Sequence, residues 1–88
     1  MTALLASSTT AASSADFTLT GETSTLFLVA AASQIPDILM TIEIKSAAGV
    51  YHTIGNLSDE IPAVVLSGPG TYRVTRPVCT TAVGVDRV

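Results

Sequence analysis

The feature that most restricts the fold of this chain is a run of strict alternation from Ile38 to Lys45. Ile38, Met40, Ile42 and Ile44 are interleaved with Leu39, Thr41, Glu43 and Lys45. A period of two puts one set on a dry face and the other on a partly wet face, which is the signature of a β-strand and incompatible with a helix. Ser46-Ala47-Ala48-Gly49 follows as a short turn, with Gly49 where a positive φ is most needed. Val50 to Ile54 then returns, with Val50, His52 and Ile54 predicted on one face and Tyr51 and Thr53 on the other. The hairpin Ile38 to Gly55 is thus expected to be the element on which the remaining strands pack.

Those strands are short and separated by turn residues. Asp16 to Thr20 alternates, with Phe17 and Leu19 inward, and Thr25 to Val29 is a continuous apolar run that reads as a central strand buried on both faces. Ile35-Pro36-Asp37 ends that region, because Pro36 lacks a ladder donor. Ala63 to Leu66 is a further strand. Ser67-Gly68-Pro69-Gly70 reads as a type II turn, with Gly70 predicted at φ > 0. In Thr71 to Arg76, Tyr72 and Val74 point in and Thr71, Arg73 and Thr75 point out; Pro77 stops the strand. Thr81 to Val88 is the last one, with Val83 and Val85 sharing a face. The stretch 1–15, rich in Ala, Ser and Thr, lacks sustained periodicity; Thr2 to Ala6 reads at most as a short edge strand. The expected fold is all-β: a small antiparallel β-sandwich or barrel of seven to eight short strands, with an irregular N-terminal arm (1–15) and a single β-domain (16–88). The expected hairpins pair 38–45 with 50–55 and 63–66 with 71–76.

Composition narrows the functional classes. The 88 residues are 48% hydrophobic and only 12% charged, about half the usual charged fraction of roughly 25%. A domain this small has much surface to cover and normally covers it with charge; here Ser, Thr and Ala stand in, which reads either as a polar but uncharged surface or, the favoured reading, as one covered by neighbouring protein. With a net charge of −3 and Lys45, Arg73, Arg76 and Arg87 as the whole basic complement, no phosphate-neutralising stripe can form, so nucleic acid is not an expected partner. The single Cys79 rules out an intrachain disulfide and reads as a small buried hydrophobe. Met1 to Ala6 has no basic segment of a signal peptide, and the longest apolar run, Leu26 to Ala32, is far shorter than a membrane span. A protein made in the cytoplasm, without a membrane partner, is expected.

No residue pattern carries recognisable chemistry. Asp59 and Glu60 are adjacent on an extended loop and point apart, so a solvated loop is the reading rather than a metal or acid–base pair. Gly68-Pro69-Gly70 precedes a strand instead of the helix a phosphate loop needs. Cys79 with His52 could form a nucleophile and base, but unrelated structural roles are expected, with His52 a half-buried structural residue. Tyr51 and Tyr72 could stack on sugars; core or rim positions are the expected ones. No catalytic, cofactor-binding or metal-binding residue is assigned, and no cofactor is expected.

Taken in order, the Ser/Thr/Ala-rich start, Thr41-Ile42-Glu43-Ile44 leading through Gly49 to Tyr51-His52-Thr53-Ile54-Gly55, then Gly68-Pro69-Gly70-Thr71-Tyr72-Arg73-Val74 and Ala82-Val83-Gly84-Val85-Asp86, resemble small virion proteins of tailed bacteriophages, of the capsid decoration (cement) and head-fibre type. The likeness spans about residues 16–88 and departs from the pattern in lacking a Trp beside Tyr51. It implies a non-enzymatic structural protein on the capsid surface of a virion, synthesised in the host cytoplasm. Its partners would be the major capsid protein and further copies of itself, most simply as a trimer. A receptor- or glycan-binding module of a head fibre or tail appendage is the alternative, and a small enzyme or enzyme subunit the third reading.

Overall fold

The computed structural model describes residues 2–30, 39–58, 61–79 and 82–88. Ile38, the Ile35-Pro36-Asp37 stop and the Asp59-Glu60 pair lie outside these residues. The fold is all-β, and among the described residues it has nine strands: β1 (Thr2–Ser8), β2 (Ala12–Ser13), β3 (Phe17–Leu19), β4 (Ser24–Ala30), β5 (Leu39–Lys45), β6 (Tyr51–Ser58), β7 (Ala63–Leu66), β8 (Gly70–Arg76) and β9 (Val83–Arg87). They form two antiparallel sheets that pack as a sandwich. The first has the order β1-β9-β4-β7; in the second, β8 is flanked by β2 and β3 on one side and by β5 then β6 on the other.

The β5–β6 hairpin forms as expected. Its turn is closed by Ser46 N donating to Val50 O at 2.8 Å and Gly49 N to Ser46 O at 2.9 Å, and Gly49 has φ 84°. The return strand keeps its predicted faces as far as Thr53, with Tyr51 and Thr53 opposite Lys45 and Glu43 and His52 opposite Ile44. Ile42 pairs with Gly55 but Glu43 pairs with Thr53, so Ile54 is the extra residue of a bulge. The bulge reverses the alternation from Gly55 onward, and on this edge strand Val50, His52 and Ile54 are all exposed; His52 is a surface residue rather than a half-buried one.

The second expected hairpin does not exist. Ala63–Leu66 pairs with β4 in the first sheet, whereas Gly70–Arg76 pairs with β2, β3 and β5 in the second. Ser67 to Pro69 is an arch that carries the chain from one sheet to the other. The left-handed residue in it is Gly68, at φ 94°, and Gly70 is absent from the positive-φ glycines. Gly70 already belongs to β8, opposite Leu19, where an added Cβ would lie 3.2 Å from both Ile44 Cδ1 and the Tyr72 ring. The expected type II geometry at Gly70 is thus replaced by a packing constraint.

The N-terminal stretch is not an irregular arm. β1 pairs with β9 along Thr2↔Arg87, Ala3↔Asp86, Leu5↔Val85 and Ser8↔Val83, with register shifts at two points, and β2 pairs with β8. The first shift lets the consecutive residues Leu4 and Leu5 both pack on the core, which an unbroken strand cannot do. Central strand β4 also departs from its reading: Leu26 is buried, but Thr25, Phe27 and Val29 are half-buried. In a two-layer sandwich each sheet covers the other on one face only.

Between the sheets lie Leu5, Leu26, Leu66, Val83 and Val85 from the first and Phe17, Leu19, Met40, Ile42, Leu57, Tyr72 and Val74 from the second. Each such side chain contributes about 1.5–3 kcal/mol by leaving water. Phe17 and Tyr72 stack at 5.9 Å between ring centroids, and the Arg87 guanidinium crosses from the first sheet to within 4.9 Å of the Phe17 ring centroid.

Candidate functional site

The largest concentration of polar chemistry sits on the outer face of the second sheet. Alternation along β8 and β5 sends Thr71, Arg73 and Thr75 outward, opposite Lys45, Glu43 and Thr41 respectively. Arg73 Nε donates to Glu43 Oε1 at 3.0 Å, and the Thr75 hydroxyl donates to the same oxygen at 2.7 Å. Tyr51, opposite Lys45 on β6, presents its ring to the Arg73 guanidinium, whose carbon is 3.5 Å from the ring centroid. Asp16 reaches this face from the break between β2 and β3. The Tyr51 hydroxyl lies 2.7 and 2.9 Å from its two carboxylate oxygens and donates to them, and Lys45 Nζ is 3.5 Å away. The break itself is mended by Ser14, whose backbone N donates to Val74 O at 2.8 Å while its hydroxyl accepts from Val74 N at 3.0 Å.

The electrostatics of this cluster are those of a strap. The Tyr51 hydroxyl holds the Asp16 carboxyl below its ordinary range, with Lys45 and Arg73 assisting. The Thr75 hydroxyl does the same for Glu43, followed by Arg73. The bond to Asp16 in turn raises the Tyr51 phenol. A general acid or base works best with a pKa near neutrality, and each of these groups moves away from it. Asp16, Glu43 and Arg73 are charged, Tyr51 is protonated, and each has a partner within the cluster. The arrangement can tie β3, β8, β5 and β6 together; it has no group poised to move a proton at neutral pH.

The other candidates are scattered. Cys79 is half-buried, with its backbone N donating to Thr9 O at 3.0 Å and its Sγ 3.6 Å from Ser8 O. His52 is on β6, at the far edge of the other sheet, so the two do not form a nucleophile–base pair. Tyr72 is in the core, its hydroxyl donating to Gly68 O at 3.2 Å. Arg73 and Arg76 lie on opposite faces of β8 and share no basic stripe. Among the described residues no three His, Cys, Asp or Glu side chains converge as a metal site, and no helix is long and apolar enough to cross a membrane.

Arg76 is the residue that sequence reasoning passed over. It is only 3% exposed, and its guanidinium donates to Thr10 O and Ala6 O, each at 2.7 Å, and to Val83 O at 2.9 Å. Extending the inward set Tyr72, Val74 by two more residues would have pointed to it. A buried cation satisfied by carbonyls fixes where β1, the β1–β2 turn and β9 meet the second sheet.

Apolar side chains make up the remaining distinctive surface. Leu39 (55% exposed), Val50 (53%) and Ile54 (49%) lie along the β5–β6 hairpin, with Ile61 (55%) beside the end of β6, where Ser58 N donates to Ile61 O at 3.0 Å. Val65 (62%) stands on the outer face of the first sheet, opposite Thr25. No protein-family model, curated protein or solved structure matches this chain.

Proposed function

We propose that this chain is a non-enzymatic structural protein that attaches to a protein lattice, as a decoration or cement protein on the capsid of a tailed bacteriophage. The observation that carries this reading is the surface: Leu39, Val50, Ile54, Ile61 and Val65 are each about half exposed or more on a chain with 12% charged residues. Four of them lie on or beside the β5–β6 hairpin and Val65 on the other sheet; the reading takes the hairpin side as the one that protein covers in the working state. The polar cluster supports the same reading, because its side chains bond to one another and work as a brace. The glycan-binding alternative has less support. Tyr51 carries Arg73 against its ring and gives its hydroxyl to Asp16, and Tyr72 is in the core.

The test is co-sedimentation with capsids assembled from the major capsid protein of the same genome. Saturable binding that raises the melting temperature of both partners is expected, since a ligand of the folded state stabilises it by mass action. A chain that stays in the supernatant at every concentration overturns the reading.

A further inference from the structure

The second sheet ends on β6, and we infer that this edge is a self-association surface at which two copies of the chain pair antiparallel about a two-fold axis. Among the described residues the outer side of β6 has no strand beside it. Natural sheets guard such edges with charge, proline, bulges, interruption or short length, and the other three edges here are guarded more heavily. β7 is four residues long and follows Pro62. β1 is broken by two register shifts, and the opposite edge of the second sheet is interrupted between Ser13 and Phe17. β6 runs for eight residues, Tyr51 to Ser58, with no Asp, Glu, Lys, Arg or Pro among them. Its one guard is a single bulge at Ile54, whose side chain is 49% exposed.

The occupant follows from charge and symmetry. On a chain of net charge −3, a neutral edge offers no counter-charge to an acidic or basic peptide. Paired with itself, it brings no like charges into register. A two-fold pairing is also closed: each copy uses the same strand, so association stops at two instead of growing into a filament. In a register centred on Ile54, the exposed Ile54 of each copy meets its counterpart, with Val50 and Leu39 flanking the ladder. The contact is two-fold where the resemblance implies a trimer, and it takes Ile54, Val50 and Leu39 out of the apolar set assigned above to a capsid, leaving Ile61 and Val65; sedimentation without capsids tests it apart from that reading.

Sedimentation velocity over a concentration series, without capsids, reads the association directly, and amide hydrogen exchange locates it. The expected result is a reversible monomer–dimer equilibrium with slower exchange across residues 51–58 as concentration rises. Ile54→Lys should weaken dimerisation at least about tenfold by placing two cations together, while Val65→Lys on the first sheet leaves it unchanged. Asn56→Lys, exposed on the same strand, serves if the Ile54 variant fails to fold. A monomer at the highest concentration, or a dimer indifferent to the lysines on β6, overturns the inference. So does a dimer that Val65→Lys disrupts.

Discussion

The two long sides of the sandwich are built on different principles. On one side the edges β1 and β2 are joined by a short turn and locked to each other from within. Arg76 gathers carbonyls of Ala6, Thr10 and Val83, and Gly84 lets the β1 backbone pass so close that an added Cβ would lie 2.4 Å from Leu5 O. On the other side, among the described residues, Ser58 at the end of β6 and Ile61 ahead of β7 are linked by Ser58 N donating to Ile61 O and Ile61 N to the Ser58 hydroxyl, and Ile54 and Ile61 face outward. In a chain with so few charges, one buried cation organises the main chain of the closed side, whereas among the described residues the outer backbone of β6 on the open side has no strand beside it.

The largest effect that would break this contrast is at Arg76. Arg76→Ala removes three bonds to a charged donor, each worth roughly 1.5–3 kcal/mol, with part regained from entering water. A net loss of about 4 kcal/mol in urea unfolding is expected, with hydrogen exchange in β1 and β9 accelerated and β5–β6 little changed. If β6 loosens as much as β1, the two sides are not separable. Gly84→Ala comes next. Its Cβ meets backbone, which cannot rotate away, so β1 must shift; about 2–3 kcal/mol is expected for overpacking of this kind. A variant as stable as the parent would show that β1 is held loosely enough to move.

Why the sequence revealed one side and hid the other follows from the same elements. β5 alternates without interruption, so the hairpin and the buried Met40 and Ile42 are readable directly. On β6 the alternation fails at Ile54, where the bulge shifts every later residue to the other face. β1 is legible only as the short edge strand Thr2 to Ala6, and an edge strand it is, over Thr2–Ser8; its two register shifts and adjacent inward leucines imitate no sustained period. The Ser67–Gly70 stretch has the same residues whether it closes a hairpin or crosses between sheets, and only the pairing of β7 with β4 decides. Arg76 was hidden by its charge, because hydropathy places arginine outside. The polar cluster draws on positions 16, 43, 51 and 73, which come together only once strand order is known.

The smallest expected effect concerns the strap that connects the two sides. Asp16 sits in the break of the closed-side edge and is bonded to Tyr51 on β6, so its carboxylate links the guarded edge to the open one across the outer face. Its pKa is lowered from 3.8, chiefly by that bond. A carboxyl whose folded pKa is depressed contributes stability that is present above the unfolded value and is lost as pH falls through the folded one. Tyr51→Phe should let the Asp16 pKa rise back toward its ordinary value, measurable by NMR titration of the side-chain carbonyl. The stability difference between parent and variant should be constant at neutral pH, shrink below about pH 4 and vanish once Asp16 is protonated in both. It should also fall with added salt, because the flanking Lys45 and Arg73 are screened. If the two proteins differ equally at pH 7 and in acid, the Tyr51 hydroxyl acts by packing alone and Asp16 is not the link between the two sides.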